Sequence, residues 1–177
     1  MKTILKSVLT LALASGLVLA AQAQKASTAQ ASATILADLT IDLDVTQNAI
    51  AFGNLSANTP GNVVLDANGA SNLNTGSVTN VARFDLAGAD ASVTVSYDPT
   101  VTLTITGGGT ATMVMTPQVV GDALSTNQSG ALAVASGSQV TLSSGLYFLW
   151  VGGTIPQLNN QTTGSYEGTF NINVEYN

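Results

Sequence analysis

Asp42 and Asp44, separated by one residue in the stretch Ile41–Val45, are the side chains whose type and spacing come nearest to a catalytic pair. Two carboxylates can divide general-acid and general-base work, as in glycoside hydrolysis. They must then face each other across a cleft of about 5–10 Å, with one pKa raised. Positions i and i+2 of an extended chain instead share one side, and acids rarely go inside without a partner. Asp42 and Asp44 therefore read as a solvated strand face. The chain has no histidine and no cysteine, which removes the commonest general base, the thiol nucleophile and the usual transition-metal ligands together. A serine nucleophile needs an activating base, and Lys25 lies in a small polar stretch that is poorly suited to hold one. The Asp-x-Asp spacing lacks the remaining ligands of a calcium loop. Gly107-Gly108-Gly109-Thr110 lacks the Gly-Lys-Ser/Thr of a phosphate loop and reads as a hairpin turn. Three glycosylation-type triplets, at Asn54, Asn127 and Asn160, carry no weight in a chain so rich in Asn, Ser and Thr. The expectation is a protein that is not an enzyme, with no catalytic residues, no metal and no cofactor.

Lys2 and Lys6 precede the apolar run Val8–Ala21, and Ala21-Gln22-Ala23 stands before Gln24. A basic start, an apolar stretch shorter than the roughly 20 residues of a membrane span, and small residues at Ala-x-Ala make residues 1–23 a secretory signal peptide. Cleavage is expected between Ala23 and Gln24. Such a chain is exported, to the periplasm and then to the cell surface or beyond, with no membrane attachment left. Only Lys25 and Arg83 would then face ten acidic residues. Nucleic acid and anionic lipid both require clustered cations, so neither is an expected partner. Without cysteine no disulfide can staple the fold, and one domain must stand on burial and sheet hydrogen bonding alone.

The remaining chain reads as strands. Gln24–Ser32 is small and polar, a flexible extension, and a single domain is expected over 33–177. Ile35, Ala37, Leu39, Ile41, Leu43 and Val45 alternate with polar residues over most of their length, the period of a half-buried strand. Similar short runs follow at Val63–Ala67, Ala82–Leu86, Ala91–Tyr97 and Val101–Ile105, then around Met113–Met115, Val140–Leu142 and Leu146–Val151. Phe148 and Trp150 are expected on one face, and Gly152-Gly153 is expected to end or bulge its strand. Turn signals such as Asn68-Gly69, Asp98-Pro99 and Gly107–Gly109 separate them. About eight to ten strands without a helix predict an all-β, immunoglobulin-like antiparallel β-sandwich.

From Tyr166 to Tyr176 the alternation of Gly168, Phe170, Ile172 and Val174 with polar residues predicts a final strand. Gly164, fourteenth from the end, and the penultimate Tyr176 bracket it. This pattern resembles the C-terminal strand of pilins assembled by a chaperone and an usher. The resemblance implies that Phe170, Ile172 and Val174 fill inward pockets, that Tyr176 anchors the strand end, and that Gly164 permits close backbone approach. It also implies two partners, a periplasmic chaperone and the next subunit, each supplying a strand by β-addition. Ala33-Thr34-Ile35, Phe52-Gly53, Gly61–Gly69, Val151–Thr154, Gly164–Phe170 and Val174–Asn177 resemble, in addition, a bacterial secreted family known as domain of unknown function 4402. That family is similar in layout to spore-coat and archaic pilus subunits. The functional expectation is a pilin-like structural subunit that self-associates into a polymer. The alternative is a self-contained secreted binding module, an adhesin or a binder of carbohydrate or another surface. Ala33–Val45 is either the first strand of the domain or a donor strand for another subunit.

Overall fold

The computed structural model describes residues 29–177, and the expected signal peptide and its cleavage residues Ala21, Ala23 and Gln24 lie outside that range. Within it, Ile35–Asn177 forms a compact unit built from strands. In chain order these are β1 (Thr40–Leu43), β2 (Val63–Leu65), β3 (Ala82–Ala87), β4 (Ser92–Tyr97), β5 (Val101–Ile105) and β6 (Thr112–Asp122). They continue with β7 (Leu132–Ala133), β8 (Ser138–Thr141), β9 (Leu146–Ile155), β10 (Tyr166–Glu167) and β11 (Ile172–Tyr176). A single 3₁₀ turn at Gln128–Gly130 interrupts them. The larger sheet has the order β1-β3-β9-β6-β5-β10, with β2 also on β9 and β7 on β6; the smaller has the order β11-β4-β8. Every pairing is antiparallel, and the molecule is an antiparallel β-sandwich.

β9 is the central strand. Leu149 and Val151 point between the sheets and join Ala82, Leu86 and Val119 against Val93, Val95 and Val140 of the smaller sheet. Trp150, between them in sequence, faces the other way and belongs to a second cluster with Val120, Leu65, Val63 and Phe52. Its cross-strand partners are Val120 and Arg83. β2 itself pairs within the larger sheet, and the chain crosses the outer face only as it leaves β2, where Leu65 and Ala67 backbone atoms lie against Gly152. Burial on both faces accounts for the unbroken apolar run at Leu149–Val151, since only a strand exposed on one side needs to alternate. Phe148 and Trp150 do share a face, with ring centroids 6.5 Å apart.

Three expectations need correction. Gly152 and Gly153 neither end nor bulge β9, which runs through them to Ile155. A Cβ at Gly152 would lie 2.2 Å from the Leu65 carbonyl oxygen, and one at Gly153 would lie 2.9 Å from that of Thr116. Glycine is there to let β2 and β6 approach. The first strand is also shorter than its alternation: only Thr40–Leu43 pairs, because β3 ends opposite Thr40 at Ala87 and the chain turns away at Gly88. At the other end, Asp44 Oδ1 accepts hydrogen bonds from the backbone amides of Thr46 and Gln47, an Asx turn that stops the strand before Val45. Finally, Tyr166–Tyr176 is not one strand. β10 pairs with β5 in the larger sheet and β11 with β4 in the smaller, so the segment changes sheets across 168–171. Gly168 makes the corner, where a Cβ would come within 2.5 Å of the Thr102 carbonyl oxygen.

Candidate functional site

The sheet change at Gly168 leaves a gap. β1 is hydrogen-bonded only to β3, and β11 only to β4, so among the described residues each has one unpaired edge. The two edges border a single cleft, lined by Ile41 and Leu43 from β1, Phe84 from β3, Phe170 from the corner before β11, and Ile172 at its start. Leu43, Phe84 and Phe170 also line the adjoining groove of about 830 Å³, whose floor is Leu103, Met113, Met115 and Ile155. Its walls are the segments 48–57 and 161–170. Since β10 belongs to the latter wall, both outermost strands of the larger sheet reach this groove, and the sheet curls around an open seam.

Each wall is fixed by local geometry. Phe52 is buried in the same cluster as Trp150, and its carbonyl accepts the Gly76 amide at 2.8 Å. Gly53 adopts φ +75° where a Cβ would meet the Val78 carbonyl oxygen at 2.6 Å. The early Phe-Gly pair is therefore a structural hinge of the wall, with the ring inward and the backbone turned. On the opposite wall Gly164 lies against Ile105, to whose Cδ1 an added Cβ would approach within 2.6 Å. At the seam Phe170 joins the two sheets: its ring centroid is 6.2 Å from Phe84 and 5.9 Å from Tyr97.

The structure thus brings together Gly164, Phe170 and Ile172 along the groove. It places Val174 further along β11, where it packs half-buried into the core between the sheets. Tyr176 lies beyond the groove, and its hydroxyl donates to the Ala37 carbonyl and accepts from the Ala89 amide. Phe170 is not a strand residue but a corner residue. Ala33–Val45 is resolved in part: Thr40–Leu43 is the domain's own first strand, while 29–38 are exposed and carry no strand.

Asp42 and Asp44 stand away from the groove, on the face of the larger sheet that carries Arg83. Asp44 Oδ2 lies 2.6 Å from an Arg83 terminal nitrogen, and Asp85 Oδ1 lies 2.7 Å from Arg83 Nε. The guanidinium also sits 5.7 Å above the centre of the Phe148 ring. Sequence reasoning missed this cluster, because nothing in the local pattern ties Asp44 to Arg83 across the β1–β3 pair. The Thr46 hydroxyl, the Gln47 and Thr46 amides and the Arg83 charge together hold the Asp44 carboxyl down at about 2. A depressed pKa in the fold means a contribution that is complete above the ordinary carboxylate value near 4 and lost as pH falls through about 2. The thermal midpoint of the wild type is therefore expected to fall more steeply between pH 4 and pH 2 than that of Asp44→Asn. Parallel slopes in calorimetric melts across that window would refute the role given to Asp44.

A family model described as a domain of unknown function, DUF4402, matches residues 43–176. The chain belongs to the DUF4402 family. The match takes in both walls of the groove, both core clusters apart from Leu39 and Ile41, and the last strand through Tyr176. No curated protein matches the chain. The groove of this DUF4402 domain holds a single carboxylate, Glu167, beside the amides and hydroxyls of Asn48, Asn54, Gln161, Thr162 and Thr163. Among the described residues no three acidic side chains converge on a metal-sized site. What the groove offers is an apolar floor between two lines of unpaired backbone donors and acceptors, a combination suited to an extended peptide.

Proposed function

We propose that this DUF4402 chain is an exported, non-enzymatic structural subunit of pilin type that accepts a β-strand from a partner and assembles at the cell surface. The observation that carries the reading is the seam: two unpaired strand edges, β1 and β11, flank a floor of Phe84 and Phe170 that continues to Leu103 and Met113. An open edge beside an apolar slot is costly to leave bare in water and is the geometry of β-addition, in which main-chain bonds supply affinity and alternate pockets supply register. A chaperone strand and a subunit strand would compete for the same seam. The alternative, a secreted binding module, is favoured by one observation: about 830 Å³ is also the size of a small-molecule pocket.

Chromatography with light scattering separates the two readings. All strands and both core clusters fall within Leu39–Asn177, so a chain starting at Asp38 keeps the complete fold. The deletion must stop there, because removing Thr40–Leu43 would take away the domain's own edge strand. A chain from Gln24 is expected to form concentration-dependent oligomers, and the chain from Asp38 to be a monomer that binds a peptide of residues 24–37. A Gln24 chain that stays monomeric, with an Asp38 chain that ignores the peptide, would replace the subunit by the binding module.

A further inference from the structure

The geometry points to Tyr176 as a latch that turns the N-terminal segment outward, so that each groove is filled by the segment of a second copy of this chain and not by its own. The inference rests on the strand-accepting reading above. Tyr176 ends β11, and its hydroxyl donates to the Ala37 carbonyl at 2.9 Å while accepting the Ala89 amide at 2.6 Å. The phenol is seated on Gly88, where an added Cβ would fall 2.3 Å from the hydroxyl oxygen and 3.2 Å from Leu39 Cδ1. Residues distant in sequence, Ala37, Gly88, Ala89 and Tyr176, therefore meet at one oxygen, just ahead of the strand that borders the groove.

Direction follows from the register. The cleft begins at Ile41 and Ile172 and runs through Leu43 toward Leu103. Tyr176 is at the far end of β11 from Ile172, so the latch stands beyond the cleft. Ile35–Asp38 are exposed, Ile35 at 96%. To enter its own groove this segment would have to reverse between Ala37 and Thr40, with Asp38 and Leu39 as a two-residue turn. Turns of that length favour Asn-Gly or Asp-Gly with positive φ at the second position, which a leucine adopts only under strain. Leu39 is moreover packed against the core between the sheets. With Ala37 held and Leu39 packed, filling in cis is obstructed, whereas the exposed Ile35 is presented to another molecule. A contact of this head-to-tail kind builds an open filament unless its rotation closes it into a ring.

Tyr176→Phe keeps the ring and removes the hydroxyl. In chains starting at Gln24, this variant is expected to remain monomeric at concentrations where the wild type associates. It should bind a fluorescent peptide of residues 24–37 about five-fold more weakly, the worth of one ordinary hydrogen bond, because its own segment now competes. Ile35→Asp added to Tyr176→Phe disables that competitor and should restore peptide affinity to the wild-type level. Association and peptide binding by Tyr176→Phe equal to wild type would overturn the latch and leave the strand-accepting groove standing. Weak peptide binding by the double variant would also overturn it, since the hydroxyl would then be supporting the groove and not the exit of the segment. If no variant, the wild type included, takes up peptide, the strand-accepting reading fails and the latch with it.

Discussion

Replacing Trp150 by alanine is expected to cost about 3–5 kcal/mol of stability, the range for truncating a large buried aromatic. Trp150 is 1% exposed, on the face of the larger sheet opposite the smaller one, and its cluster draws Val120, Ala67, Ala131 and Phe52 from separate segments. With no disulfide to hold those segments, the void left by the indole would be lined by parts of the chain that only packing keeps in place. Since domains of this size are stable by about 5–15 kcal/mol, the loss is a large fraction of the total, and the melting midpoint should drop on the order of 10 °C. Trp150→Phe, which keeps most of the apolar volume, should cost markedly less. Circular dichroism melts give the answer. Should Trp150→Ala melt like a substitution at 75%-exposed Leu132, the outer face of the larger sheet is not a core.

That second core explains why the sequence revealed the fold class but not its layers. Period-two alternation reports a strand with one wet face, and it located β3, β4 and β5 well. It said nothing of which face of β9 was covered, because Leu146–Val151 is apolar throughout, and the covering residues come from an irregular connection with no period of its own. β6 was legible only at Met113 and Met115. Its continuation to Asp122 passes through Pro117, which opposes Gly153 and argues locally against a central strand. Alternation also overran the true ends of β1, since what stops that strand is partly an Asx turn at Asp44 and partly the end of its partner β3.

The candidate site was legible in the same partial way. Phe170 and Ile172 were found because they sit on an alternating segment, and Gly164 because it precedes that segment as in the pilin C-terminal pattern; residues 161–170 do form one wall of the groove. The opposite wall and the floor were invisible, since Ile50, Phe52, Leu103 and Met113 come together only through tertiary packing. Tyr176 carries the same lesson: alternation placed it at the end of a strand, but its hydrogen bond to Ala37 spans nearly the whole described chain. Contacts of that sequence separation have no local signature. Gly88, which makes room for the phenol, has no local signature for the same reason.

The floor of the groove yields the sharpest test of strand acceptance. Met113 and Val114 are neighbours on β6, but Met113 pairs with Leu103 and lines the groove, while Val114 pairs with Thr102 and is 44% exposed. A carboxylate at Met113 must lose water when an apolar strand covers it. No cation waits there, because Arg83, the only basic residue among those described, is bound to Asp44 and Asp85. Desolvating an unpaired charge costs several kcal/mol, so Met113→Asp should weaken binding of the 24–37 peptide by at least about a hundred-fold. Val114→Asp adds the same charge to the same strand but stays in water on both sides of the equilibrium, and its effect should be under about three-fold. Fluorescence anisotropy on both variants, taken below their melting transitions, measures the difference. Equal losses would mean that net charge and not desolvation governs the encounter, and no loss in either would mean that the strand does not lie on this floor. A large loss confined to Met113 requires the incoming segment to bury the floor itself, which a ligand held only at the polar rim of Gln161 and Glu167 would not do.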